Sequence, residues 1–168
     1  MDVATSAPVT TVSMLGSLLA AITPDLRQAC SDPWILIGSA AALLVGAEVV
    51  VADLDILTSV RDAEAMSETW HERLDGQHAP DGADRFRSHF ARFSFSSLPV
   101  EVMGGLEVMG IHGWDAVQIN ETITVICTGM AIPVPSIAEQ MRVLKIFGRP
   151  KDLRRAALLQ SLIRSRTC

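Results

Sequence analysis

Asp53 and Asp55 stand one residue apart inside an apolar, strand-like run, in "WILIGSAAALLVGAEVVVADLDIL" over residues 34–57. Side chains alternate along a strand, so the two carboxylates project from one face while Leu54 and Ile56 enter the core. Close acids repel each other and resist desolvation, so the pair needs a partner. A hard divalent cation is one: Mg²⁺ takes oxygen ligands, commonly one or two carboxylates together with substrate phosphates. Upstream, Gly38-Ser39 turns an apolar strand into a helix. Glycine there lets backbone N–H groups approach a phosphate, the helix start favours negative charge, and Ser39 adds a hydroxyl donor. Glu101, in "LPVEVM", lies between Val100 and Val102. If the valines pack inward, Glu101 faces the same cleft as a second-metal ligand or a general base. Each motif alone also has an ordinary reading: a solvated turn, a helix cap, an acid on an open sheet face. Their order along the chain is the specific feature.

The elements that would position these residues follow from periodicity. Met14, Leu15, Leu18, Leu19 and Ile22 recur at helical spacing, and Thr23-Pro24 suits the start of a second short helix near 24–31. A strand is expected over 34–37, a helix over 39–46 stopped by Gly46, and one or two strands over 49–58. Residues 62–74 read as an acidic helix with Met66 and Trp70 on one face, and 75–84 as a loop rich in breakers. Strands are expected over 91–97, 99–103 and 115–126, with turns at Gly104-Gly105 and Gly110. A helix from Pro135 to its stop at Gly148 buries Ile137, Met141 and Leu144, and an amphipathic helix spans 151–165. The expectation is one α+β domain over 1–168, a small mixed β-sheet flanked by helices: N-terminal helices in 1–32, the sheet in 33–127, C-terminal helices in 135–168.

At 168 residues, with 49% apolar and 20% charged residues, the chain has the composition of a globular protein. Its net charge of -5 argues against broad binding to nucleic acid or anionic membrane. Charge is nonetheless segregated. Acids crowd residues 53–84 and bases residues 142–166, so folding could bring the two across a cleft. Cys30, Cys127 and Cys168 lack metal spacing and read as free thiols of a cytoplasmic protein, and no segment has the pattern of a leader or a membrane span. His71, His78, His89 and His112 are expected on the surface, Trp34 and Trp114 in the core.

The residues "IGSAAALLVG", "ADLDIL" and "LPVEVMGGLEV", with the tail "VPSIAEQMRVLKIFGRPKDLRRAALL", resemble the nucleotidyltransferase superfamily with the DNA polymerase β-like fold. The likeness is to its small AbiEii-like and aminoglycoside-adenylyltransferase-like bacterial members and covers about residues 33–160. It implies that Gly38 and Ser39 hold nucleotide phosphates, that Asp53 and Asp55 bind Mg²⁺, and that Glu101 is the third carboxylate. It also implies nucleotide or substrate contacts from Lys145 and from Lys151 with Asp152. The chain departs from the pattern in having no basic residue shortly before Asp53 and a glutamate for the usual aspartate, with Glu107 as a competing candidate. Read on its own, Lys145 is equally a helix-edge lysine laying its stem along apolar surface. The implied activity is Mg²⁺-dependent transfer of a nucleoside monophosphate from an NTP, ATP foremost, to a hydroxyl of a small molecule, protein or RNA. The other reading is a non-catalytic module of the same fold, an antitoxin-like or regulatory partner, completed by another protein or by a second copy.

Overall fold

The computed structural model describes residues 7–76, 80 and 84–167. His78, Cys168 and most of the breaker-rich loop lie outside the described residues. In chain order the elements are α1 (Ala7–Ala29), β1 (Ile35–Ile37), α2 (Gly38–Leu44), β2 (Leu54–Thr58), α3 (Val60–Thr69), β3 (Phe86–Phe93), β4 (Val100–Gly110), β5 (Gly113–Ala116), β6 (Thr122–Cys127), β7 (Met130–Pro135), α4 (Ile137–Phe147) and α5 (Pro150–Arg166).

The main sheet runs β1-β2-β4-β3, with β5 paired to β4. β2 and β4 are parallel and the other pairs antiparallel, so the sheet is mixed and the class is α+β, as expected. β6 and β7 form a separate two-stranded ribbon. Alternation assigns the sheet's two faces. Leu54 and Ile56, Val100 and Val102, and Ala91 and Phe93 enter the main core beside Leu15, Leu19 and Ile22 of α1 and Met66 of α3. Trp70 closes this core, meeting Phe93 edge-to-face at 5.1 Å and donating its indole N–H to Asp25 at 2.8 Å. A smaller cluster on the opposite face joins Ile37, Leu57 and Leu106 to Val143 and Phe147 of α4.

Several boundaries differ from expectation. The N-terminal segment is one helix with Pro24 inside it; Thr23 is buried and its hydroxyl donates to Leu19 O at 2.6 Å instead of capping a new helix. Gly104-Gly105 do not turn but continue β4; glycine is needed there because a Cβ on Gly104 would sit 2.7 Å from the Ala63 side chain of α3 and Gly105 takes φ +62°. β3 begins at Phe86, and β7 is a strand where the sequence suggested none. Of 49–58 only 54–58 is strand. Trp34 is buried, whereas Trp114 is half-buried beneath the Arg87 guanidinium, 4.5 Å from its ring centre. His71, His89 and His112 are exposed. Among the described residues, no helix is long and apolar enough to cross a membrane.

α4 begins on a built cap: Ser136 Oγ accepts from Glu139 N–H. The buried Glu139 carboxylate in turn accepts from Asn120 N–H at 2.6 Å and from Arg142 at 2.6 and 2.9 Å. The Arg142 hydrogen bonds, first of these effects, hold Glu139 below the usual carboxylate range, with Asn120 helping. Its stabilisation is therefore complete above the ordinary glutamic acid value of 4.5 and is lost as pH falls through the lower folded value. Glu139→Gln should cost about 2 kcal/mol at pH 7. In urea titrations across pH, the gap from wild type should shrink as the solution is made acidic.

Candidate active site

β2 and β4 lie side by side in parallel, with Asp55 opposite Glu101. Asp53 immediately precedes β2, and the three acids each offer an oxygen within 4.8 Å of the others. Each is partly exposed. Burial first, then the charges of Asp53 and Glu101, pushes the Asp55 carboxyl well above the usual carboxylate range, while Arg155 pulls it back. Carboxylates at this spacing oppose one another's ionisation, and a divalent cation would relieve that.

Gly38 stands against this cluster with φ +71°, and a Cβ there would come within 2.4 Å of Asp55 Oδ2. Glycine is thus required twice over, by the left-handed backbone and by the approach of the carboxylate. Ser39 follows, buried, on the cleft wall.

Cations from the α4–α5 corner and from β3 share the cleft with the acids. Arg92, across β4 on β3, donates to Glu101 at 3.0 Å and lies 3.9 Å from Asp75. Arg149 stacks on Phe86, 4.8 Å from the ring centre, and donates to the buried Asp152 at 2.6 and 3.0 Å. Asp152 also accepts from the Arg149 backbone N–H, capping α5, and lines the cleft. Lys151 and Arg155 line the cleft, whose cavity encloses about 380 Å³.

Of the residues singled out in the sequence, Gly38, Ser39, Asp53, Asp55, Glu101, Lys151 and Asp152 therefore meet around one cavity. Lys145 does not: it is exposed on α4 and absent from the cleft wall, because the face carrying Met141 and Leu144 is the one that packs inward. Glu107 is held by Arg87 at 2.5 Å and stands outside the acid cluster. Arg92 and Arg155 were not singled out; the basic C-terminal region was the available signal for Arg155.

No family model matches the chain, and no curated protein matches it. Solved structures do. TM1012 of Thermotoga maritima, a provisionally assigned nucleotidyltransferase, superposes with TM-score 0.64 at 24% identity over 89% of this chain and 94% of that one. The lincomycin-bound lincosamide antibiotic adenylyltransferase LnuA superposes with TM-score 0.54 at 12% identity, over 89% and 96%. The chain has a nucleotidyltransferase-like fold.

Two outcomes follow for the isolated chain. Gly38→Ala should cost about 1–2 kcal/mol from the left-handed backbone alone and also displace the Asp55 carboxylate. Asp55 carries a raised value, so its ionisation opposes folding as pH rises through that value. Asp55→Asn should therefore melt above wild type at pH 8 without metal, and the difference should close as pH is lowered; a variant that melts lower at pH 8 would contradict the clustering of charge.

Proposed function

We propose that this chain is a metal-dependent nucleotidyltransferase that moves a nucleoside monophosphate from an NTP to a hydroxyl. The observation that carries the reading is the cluster of Asp53, Asp55 and Glu101 beside the Gly38-Ser39 turn. The donor set fits a divalent cation: three carboxylate oxygens within 4.8 Å, mutually repelling, in a partly buried cleft. Asp53, Asp55 and Glu101 would hold it, with Mg²⁺ the cation we assign from the all-oxygen chemistry. When bound, such an ion neutralises phosphate charge as it develops in the transition state. The naming of LnuA as an adenylyltransferase supports ATP as the donor.

The chain's own residues divide the remaining work. Gly38 and Ser39 present backbone and hydroxyl donors to the β- and γ-phosphates. Arg155 and Lys151 add positive charge on the same side, Arg155 close enough to act on Asp55. The acceptor oxygen forms a bond to the α-phosphorus in line as the bond to the bridging oxygen breaks. Pyrophosphate leaves with that electron pair, and the hydroxyl proton passes to Glu101. Arg92 holds Glu101 in register for this.

That same ion pair favours a second reading, a non-catalytic binding module, since one cluster acid already has a cationic partner. Calorimetry separates the readings. Wild type should bind ATP with Mg²⁺, Asp53→Asn with Asp55→Asn should abolish that binding, and Arg155→Ala should weaken it about tenfold. Wild type that binds no nucleotide with Mg²⁺ would remove the enzyme reading.

A further inference from the structure

The floor of the cleft changes character within one pleat. Asp55, Glu101 and Arg92 form one register-aligned row across β2, β4 and β3. Two residues further, about 7 Å along the strands, the aligned row is Leu57, Met103 and Phe90. Met103 and Phe90 are half-buried and line the cavity; Leu57 is buried. Phe86, Val143 and Phe147 wall the same end, with Phe86 and Phe147 edge-to-face at 5.0 Å.

The two ends lie on opposite sides of the acids. β1 runs antiparallel to β2 with Ile35 opposite Leu57 and Ile37 opposite Asp55, so Gly38 continues away from the apolar row. In-line displacement puts the attacking oxygen opposite the leaving pyrophosphate. With the β- and γ-phosphates at the Gly38-Ser39 end, the acceptor enters from the Met103–Phe90 end. We propose that the acceptor is a small hydroxyl compound with an apolar, flat body, seated on Met103 and Phe90 against Phe86. This rests on the nucleotidyltransferase reading. Aromatic and thioether side chains beside the reacting atoms favour a flat apolar ring over a polyhydroxylated sugar.

The test uses the full chain with Mg²⁺ and α,β-methylene-ATP, and two probes followed by NMR titration: 2-naphthol, flat and apolar, and glucosamine, polar and cationic. Naphthol should bind at least about tenfold tighter than glucosamine, as expected for burying one ring face. Phe90→Ser and, as a second variant, Met103→Gln should each weaken naphthol by about tenfold. Both should leave nucleotide affinity within about twofold, with unchanged circular dichroism as the check on folding. Asp53→Asn with Asp55→Asn should do the reverse, losing nucleotide and keeping naphthol. If nucleotide binds but naphthol does not, or glucosamine binds as well, the acceptor assignment fails and the parent reading stands. If the Phe90 and Met103 variants lose nucleotide instead, the apolar row holds the base and the assignment is overturned. If nucleotide does not bind wild type at all, both readings fall.

Discussion

Repulsion among three carboxylates is the constraint around which this fold is arranged. Parallel pairing of β2 with β4 brings Asp55 level with Glu101, and the residue before β2 adds Asp53. Nothing in folding favours that meeting; burial first, and then the charges of Asp53 and Glu101, raise the Asp55 value. The rest of the molecule tolerates it in identifiable ways. The reverse faces of the same strands bury Leu54, Ile56, Val100 and Val102 completely, so strand register is fixed by the core. A one-residue slip would turn the valines outward and the acids inward. Apolar packing on one face thereby enforces an unfavourable electrostatic arrangement on the other.

The positive charge that answers this cluster comes from distant sequence. Arg92 reaches it from β3 and Arg155 from α5. α5 is located by its own first turn, where Asp152 is both cap and ion partner to Arg149. Gln140 of α4 donates to Ala41 O of α2 and to Pro135 O, and Arg166 to Val45 O, which seats both helices against the Gly38-Ser39 side. The cleft therefore lies between a sheet held by hydrophobic burial and a helical corner held by polar contacts.

Much of the acid half was legible from sequence, because period-two alternation is unambiguous where apolar residues flank each acid. Asp53, Asp55 and Glu101 needed only that rule, and Gly38-Ser39 only the logic of a strand-to-helix turn. The opposite half was obscured for physical reasons. Lys145 and Arg155 look alike in sequence, and only the rotation of each helix against its neighbour decides which faces the cleft. Gly104-Gly105 read as a turn because their close contact with α3 is a tertiary fact. The start of β3 lay beside a breaker-rich stretch, which hid Phe86 and Phe90 from a strand assignment. Pro24 suggested a helix start, yet burial of Leu19, Ile22 and Leu26 carries one helix through it.

The Arg149–Asp152 pair has a bearing on recognition. The guanidinium is fixed at once by a buried carboxylate and by the faces of Phe86 and Phe147. A long, flexible side chain has thereby lost its rotational freedom during folding. A guest arriving at this wall meets a surface already set, and little further entropy is surrendered on contact. Selectivity on that side should thus follow shape, as in a mould, instead of adapting to whatever arrives.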